Sequence, residues 1–416
     1  MINLIKKLCL IAGVFFTTVL VVQPALATII RDAELEAGFQ QLAAPLREAA
    51  GFTEEQINIR IVIDPSFNAF VTNEMTIYIN SGLLLGAKSP EEILGVIAHE
   101  LGHLKAGHLP RREESIKNAN TASALAVITG LALASGGMPT DAAMGIIIGG
   151  DDSARRKMFQ TFQNQESVAD EYGLKYLDQA KVSSRGLAEL MRRLASQRGL
   201  TGNQLTRYYQ THPGTAERLA IYQDHMNKSP HTENGLSDDQ KSLMERLIDK
   251  LRAYTVSPKA LLNDNSLISA SNRDYGMAIA LFRHGKSELA LKRIDQLISK
   301  FNRDPYFHEF RGDILMSLAR PADAAAAYED SLSLKPESAQ IRLSLGRALI
   351  ATNDKSLLQR AVDELERVVQ VESQWIFGFR QLAIAYGRSG NIAKADLILA
   401  EEAILLNKPE RAIQMA

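Results

Sequence analysis

Only one cysteine, Cys9, occurs in 416 residues. That excludes an intramolecular disulfide framework and any metal site built from several thiolates. Neither charge is in excess, since 47 Lys and Arg stand against 48 Asp and Glu. A general nucleic-acid binder carries a basic surplus, so no nucleic-acid partner is expected. After residue 27, no apolar run reaches the roughly 20 residues that a bilayer span needs. Apolar residues make up 46% and charged residues 23%. These values exclude a mainly disordered or collagen-like chain. The length suggests two or three domains, each burying its own core.

The N-terminus is the uneven part. Lys6 and Lys7 precede an almost wholly apolar run, 8–22, and then Ala25-Leu26-Ala27, a small-x-small pattern. Together they predict a signal peptide over 1–27, cleaved near Ala27, and export to the periplasm. An uncleaved anchor is the alternative. Cys9 lacks the neighbours of a lipoprotein acylation site. Cleavage removes the cysteine and two lysines, leaving 45 basic against 48 acidic side chains and a net charge of −3. A cysteine-free exported chain suits an oxidising compartment.

Residues 28 to about 50 read as a helix, with Leu35, Phe39, Leu42 and Leu46 at helical spacing. Residues 57–63 alternate as a strand does. Val71 and Thr76-Ile77-Tyr78-Ile79 form a hairpin pattern around a turn near Asn73. Ser89-Pro90-Glu91-Glu92 opens a helix expected to run through His99 to about Gly107. Residues 122–134 and 142–149 are apolar and uncharged. Two readings stay open for 122–149: a buried helical hairpin, or a loop making interfacial membrane contact. A further helix is expected from about 155 to 179. Ser237-Asp238-Asp239-Gln240 is a capping box ahead of Leu243, Leu247 and Leu251.

The last third repeats itself. Gly312, Leu315, Ala324, Tyr328 and Pro336 take the positions of a 34-residue tetratricopeptide unit that starts at Pro305. Gly346 begins the next round, Ala361 fits after a three-residue insertion near 354–357, and Ala383, Tyr386, Gly390 and Ala395 restart the pattern. Ala278, Leu281 and Ala290 mark an earlier, degenerate unit. About four helix pairs should stack into an array that binds partners. The expected divisions are a signal peptide at 1–27, a catalytic domain at 28–265 and repeats at 271–416.

His99-Glu100-Leu101-Gly102-His103 is an HExxH motif on a well-started helix. His99 and His103 lie one turn apart, so both imidazoles can meet one zinc ion. Glu100, beside them, can take a proton from water. His108 follows His99 by nine residues, which on a continuing helix is the opposite face. It is therefore read as supporting the ligands from behind or lying at the surface. Glu166-Ser167-Val168-Ala169-Asp170 offers a third ligand, Glu166, and a carboxylate, Asp170, to orient a ligand imidazole. The spacing is weak by itself, because acid pairs four residues apart are common.

HELGH followed by E-x-x-A-D resembles the zinc metallopeptidase family that includes the CAAX-prenyl endopeptidases and the HtpX heat-shock proteases. The resemblance implies an α+β gluzincin domain, mostly helical with a small antiparallel sheet, ahead of an all-α tetratricopeptide-repeat solenoid. It implies one zinc ion per chain on His99, His103 and Glu166, with Glu100 as general base and an edge strand after Asn68-Ala69-Phe70 for substrate. Thr211-His212-Pro213-Gly214-Thr215 and Arg218 are similar to the family's downstream segment. There the resemblance implies that His212 and Arg218 stabilise the oxyanion, or that His212 caps the metal in a latent enzyme. The order of parts is similar to that of the periplasmic β-barrel assembly-enhancing proteases. That implies unfolded or stalled outer-membrane proteins as clients, the outer-membrane assembly machinery as partner of the repeats, and a chaperone-like assembly role. The alternatives are a chaperone or scaffold with a latent protease, and a general housekeeping peptidase.

Overall fold

The computed structural model describes residues 28–72, 74–108, 152–196, 212 and 216–415. The expected signal peptide, Asn73 and the segment 122–149 lie outside the described residues. The chain divides into two units, Thr28–Arg111 with Thr161–Ala416, and Met1–Ala27 with Arg112–Gln160. All contacts named below lie in the former.

Strand β1 (Thr28–Ile30) comes first, antiparallel to β2 (Asn58–Ile63). The sequence pattern put residues 28–30 in the first helix. Instead Asp32 caps that helix, its Oδ1 accepting from the Leu35 amide at 2.9 Å, so α1 (Ala33–Ala49) starts after it. The β-branched triplet before the cap joins the sheet. Leu35, Phe39, Leu42 and Leu46 are buried, as their spacing predicts.

Strands β3 (Ala69–Thr72) and β4 (Thr76–Asn80) form the expected antiparallel hairpin. The sheet as a whole is not antiparallel, however. Its order is β1-β2-β4-β3, and β2 pairs with β4 in parallel, Ile59 opposite Ile77 and Ile61 opposite Ile79. The chain reverses between β2 and β3 and again between β3 and β4. Two reversals restore the direction, so inserting β4 beside β2 makes that pair parallel. The four isoleucines pack into the core, and β3 is left as an edge.

Helices α2 (Ser81–Gly86), α3 (Pro90–Ala106), α4 (Asp152–Gln179), α5 (Arg185–Ser196), α6 (Ala216–Lys228) and α7 (Asp238–Thr255) follow. Helix α7 starts at the capping box, where Ser237 accepts from the Gln240 amide. The stretch after it is ordered by α8 (Pro258–Asn263), with Leu261 and Ile268 buried in the repeat core.

Four helix pairs then stack: α9 (Arg273–Arg283) with α10 (Ser287–Lys300), α11 (Pro305–Ser317) with α12 (Pro321–Leu334), α13 (Ala339–Ala351) with α14 (Leu358–Val371), and α15 (Ile376–Ser389) with α16 (Ile392–Leu405). Helix α17 (Pro409–Met415) follows. The three-residue insertion is a short 3-10 turn, Lys355–Leu357.

The repeats meet the start of α1 through charged groups. Glu34 accepts from Lys250 at 2.9 Å and from the Tyr275 hydroxyl at 3.0 Å. Gln340 donates to Glu36 at 2.7 Å. Glu372 pairs with Arg31 at 2.8 Å and with Arg60 at 3.2 Å, and the Arg31 guanidinium stacks on Trp375. These groups are largely withdrawn from water, so losing one partner would strand another, which fixes how the array sits on α1. Among the described residues no helix is long and apolar enough to cross a membrane.

Candidate metal centre

Helix α3 begins as its sequence predicts. Ser89 accepts from the Glu92 amide at 3.4 Å, and Pro90 takes the first turn. Its third and fourth turns carry His99, Glu100 and His103, all buried. What brings the distant acids here is a close crossing. A Cβ built on Gly102 would lie 2.4 Å from the Ala169 carbonyl oxygen of α4. Only a residue without a side chain lets the two backbones meet. Ala169 stands between Glu166 and Asp170, so this contact delivers both carboxylates to the histidines. Gly102→Ala would gain about 1 kcal/mol of helix propensity. Backbone overpacking costs about 1–3 kcal/mol and should win, because the obstacle is a carbonyl that cannot turn away. Thermal unfolding should therefore come earlier and bound zinc per chain should fall. An unchanged melting curve with full zinc would refute the crossing as the cause.

The crossing gathers three buried donors, and His212 from the chain ahead of α6 adds a fourth. His99 Nε2 lies 3.1 Å from His103 Nε2 and 3.2 Å from Glu166 Oε2. His103 Nε2 is 3.3 Å from Glu166 Oε1. His212 Nδ1 is 3.0 Å from Glu166 Oε2 and 3.2 Å from His99 Nε2. One atom from each residue fits within a 4.8 Å span. A tetrahedral zinc ion with bonds of about 2.05 Å separates its donors by about 3.3 Å. The observed spacings cluster at that edge length, and imidazole with carboxylate is a donor set that zinc accepts. The residues therefore fit a zinc-like ion.

A model of Peptidase family M48 matches residues 30–224. Residues 30–224 form a peptidase family M48 domain. A tetratricopeptide-repeat model matches 275–332 and 311–372 behind it. The chain is 21% identical to the β-barrel assembly-enhancing protease of Yersinia pestis over 341 residues, covering 78% of this chain and 67% of that protein. It is 27% identical to the metalloprotease LoiP of Escherichia coli K12 over 173 residues, covering 42% of this chain and 64% of that protein. The matches thus span about two thirds of the length of these curated relatives. Among solved structures, YrrB, a TPR protein with an unusual peptide-binding site, aligns at 14% identity and a TM-score of 0.33, covering 42% of this chain and 92% of that one. The M48 domain is a metalloprotease domain, and its family implies a metal ion.

Around the donors the M48 domain places the remaining expected residues. Glu100 is buried beside them, its Oε1 3.4 Å from His212 Nε2. Asp170 Oδ1 meets His99 Nδ1 at 2.8 Å, on the side of the ring away from the donor cluster. Arg218 does not face the cluster as an open cation. Its Nε and Nη2 donate to Asp170 at 2.5 and 2.8 Å, and its Nη1 lies 3.3 Å from Glu166 Oε2. Tyr222, one turn along α6, also donates to Asp170. It drew no attention in the sequence, although Arg and Tyr four residues apart share a helix face.

His108 is outside the donor set, as expected, but not for the helical reason given for it. Helix α3 does not continue through it, because Gly107 is left-handed at φ 63° and ends the helix. The chain turns back and buries His108 against His103, Nδ1 to Nδ1 at 2.9 Å. A glycine just before His108 was the available signal.

The cluster is electrostatically polarised. Burial would raise the Glu166 carboxyl, yet His212 and His103 beside it hold it well below the usual carboxylate range. Burial likewise opposes ionised Asp170, but Arg218 and His99 hold it down to about 2. Burial works against a charged His99 too, and the hydrogen bonds it donates to Asp170 and Glu166 overcome it, pushing His99 up to about 9. Burial prevails at His103, which falls to about 3. The charge at His99 sits where a bound cation and the Nε2 proton compete for one lone pair.

Proposed function

We propose that this chain is a periplasmic zinc endopeptidase acting on unfolded or stalled outer-membrane proteins, with the repeats recruiting clients and assembly components. The observation that carries the enzymatic part is the buried donor set of two α3 histidines and Glu166 with Glu100 alongside. In this reading His99, His103 and Glu166 hold one zinc ion. Zinc, when bound, supplies Lewis acidity that polarises a carbonyl and acidifies water near neutral pH. Glu100 takes the proton of the attacking water and returns it to the leaving amine. Asp170 keeps His99 in its ligating tautomer, and Arg218 holds Asp170 and Glu166 in place instead of meeting the oxyanion. An extended client adds to the β3 edge, whose Ala69 carbonyl is 3.4 Å from His212 Nε2.

Repeats of this type bind peptides and proteins. The outer-membrane client class is supported by the name of the Yersinia pestis relative, and export by the pattern in residues 1–27. The domain limits 28–265 and 271–416 belong to the same proposal. One observation favours a second reading, a scaffold with a latent protease: His212 Nδ1 takes the corner that a catalytic site leaves open. Glu166→Ala tests the ligand set. The variant should lose most of its zinc by elemental analysis and its cleavage of an unfolded outer-membrane protein. Full zinc occupancy would exclude Glu166 as a ligand.

A further inference from the structure

We propose that His108 is a positioning residue for His103: its Nδ1 lone pair accepts the Nδ1 proton of that ligand and fixes the ring that faces the metal. This rests on the ligand reading above. The four clustered donors meet at Nε2 of His103, so that nitrogen must be bare to ligate. A neutral imidazole then carries its proton on Nδ1. A buried N–H without an acceptor would cost about 1–3 kcal/mol, and His108 Nδ1 stands 2.9 Å away with its ring at 72° to that of His103. His108 is 3% exposed, so water does not readily replace it. Its own proton must then sit on Nε2, leaving Nδ1 as acceptor.

His99 has the same arrangement with a different acceptor, the Asp170 carboxylate at 2.8 Å. A neutral acceptor at His103 has a physical reason. Glu100, Glu166 and Asp170 already put three carboxylates in one buried site, and Arg218 pairs with only two of them. A fourth carboxylate would add like charge in a place that cannot screen it. The left-handed Gly107 is what returns the chain so that an imidazole reaches His103 from behind.

The test uses the full chain and a chromophoric chelator competing for zinc. Losing an outer hydrogen bond to a metal-bound histidine weakens binding about 10- to 100-fold, and His108→Leu should do so. His108→Asn, whose amide oxygen takes the place of Nδ1 and accepts, should restore affinity close to wild type. His108→Leu binding as tightly as wild type would overturn the proposal. His103→Ala and Glu166→Ala, run alongside, should lose zinc whatever His108 does. If they keep it, the ligand set itself is wrong and the role of His108 goes with it. A second measurement needs no variant: side-chain nitrogen NMR of the zinc-loaded wild type should find the His108 proton on Nε2. Finding it on Nδ1 would overturn the proposal independently of folding.

Discussion

Replacing Glu100 by glutamine should lower peptide hydrolysis by about 10²- to 10⁴-fold, the usual contribution of a positioned general acid–base group. Zinc content should not change, because Glu100 is outside the set of four clustered donors. The substitution is nearly isosteric and removes one charge from a site already holding Glu166 and Asp170, so the fold should tolerate it. What the amide cannot do is accept a proton from water. The measurement is cleavage of an unfolded β-rich substrate by purified wild type and variant with zinc present. Equal rates would remove Glu100 from the mechanism. A lost rate together with lost zinc would instead point to damage at the metal site.

The second large effect has the opposite sign. His212→Ala should raise turnover. His212 Nδ1 stands 3.0 and 3.2 Å from Glu166 Oε2 and His99 Nε2, within the donor tetrahedron. In the capped reading, substrate or water displaces it before chemistry begins. A closed state that leaves about 0.1–10% of molecules open holds activity down by the same fraction. Removing the capping imidazole should then raise cleavage by about tenfold or more, with zinc still held by His99, His103 and Glu166. An oxyanion-stabilising His212 makes the contrary forecast, a loss of about 10²- to 10³-fold. Steady-state cleavage with zinc measured on the same samples separates the two, and a fall in rate at full zinc would overturn capping.

Much of this site was legible before any coordinates. The cap at Ser89, the acids at Glu91 and Glu92, and the one-turn spacing of His99 and His103 are local, and local rules sufficed. The repeats were legible because each unit restates the same small-residue contacts. Glu166 was different, since its motif on α4 is ambiguous until Gly102 and Ala169 are seen to touch. The parallel β2–β4 pair was hidden because strand order does not follow chain order. His108 stays outside the donor set as the sequence suggested, but a left-handed glycine, and not the helical phase, puts it behind His103.

Residue chemistry at short range therefore determined the helices, the repeat array, and which side chains could ligate zinc or move a proton. Tertiary packing decided which acids joined those histidines, that Arg218 pairs with Asp170 and Glu166, and that His212 Nδ1 lies among the donors. The reason is range. Capping and helical spacing act within about one turn, whereas the donor cluster depends on helices α3 and α4, far apart in sequence, meeting where Gly102 and Gly173 let their backbones approach.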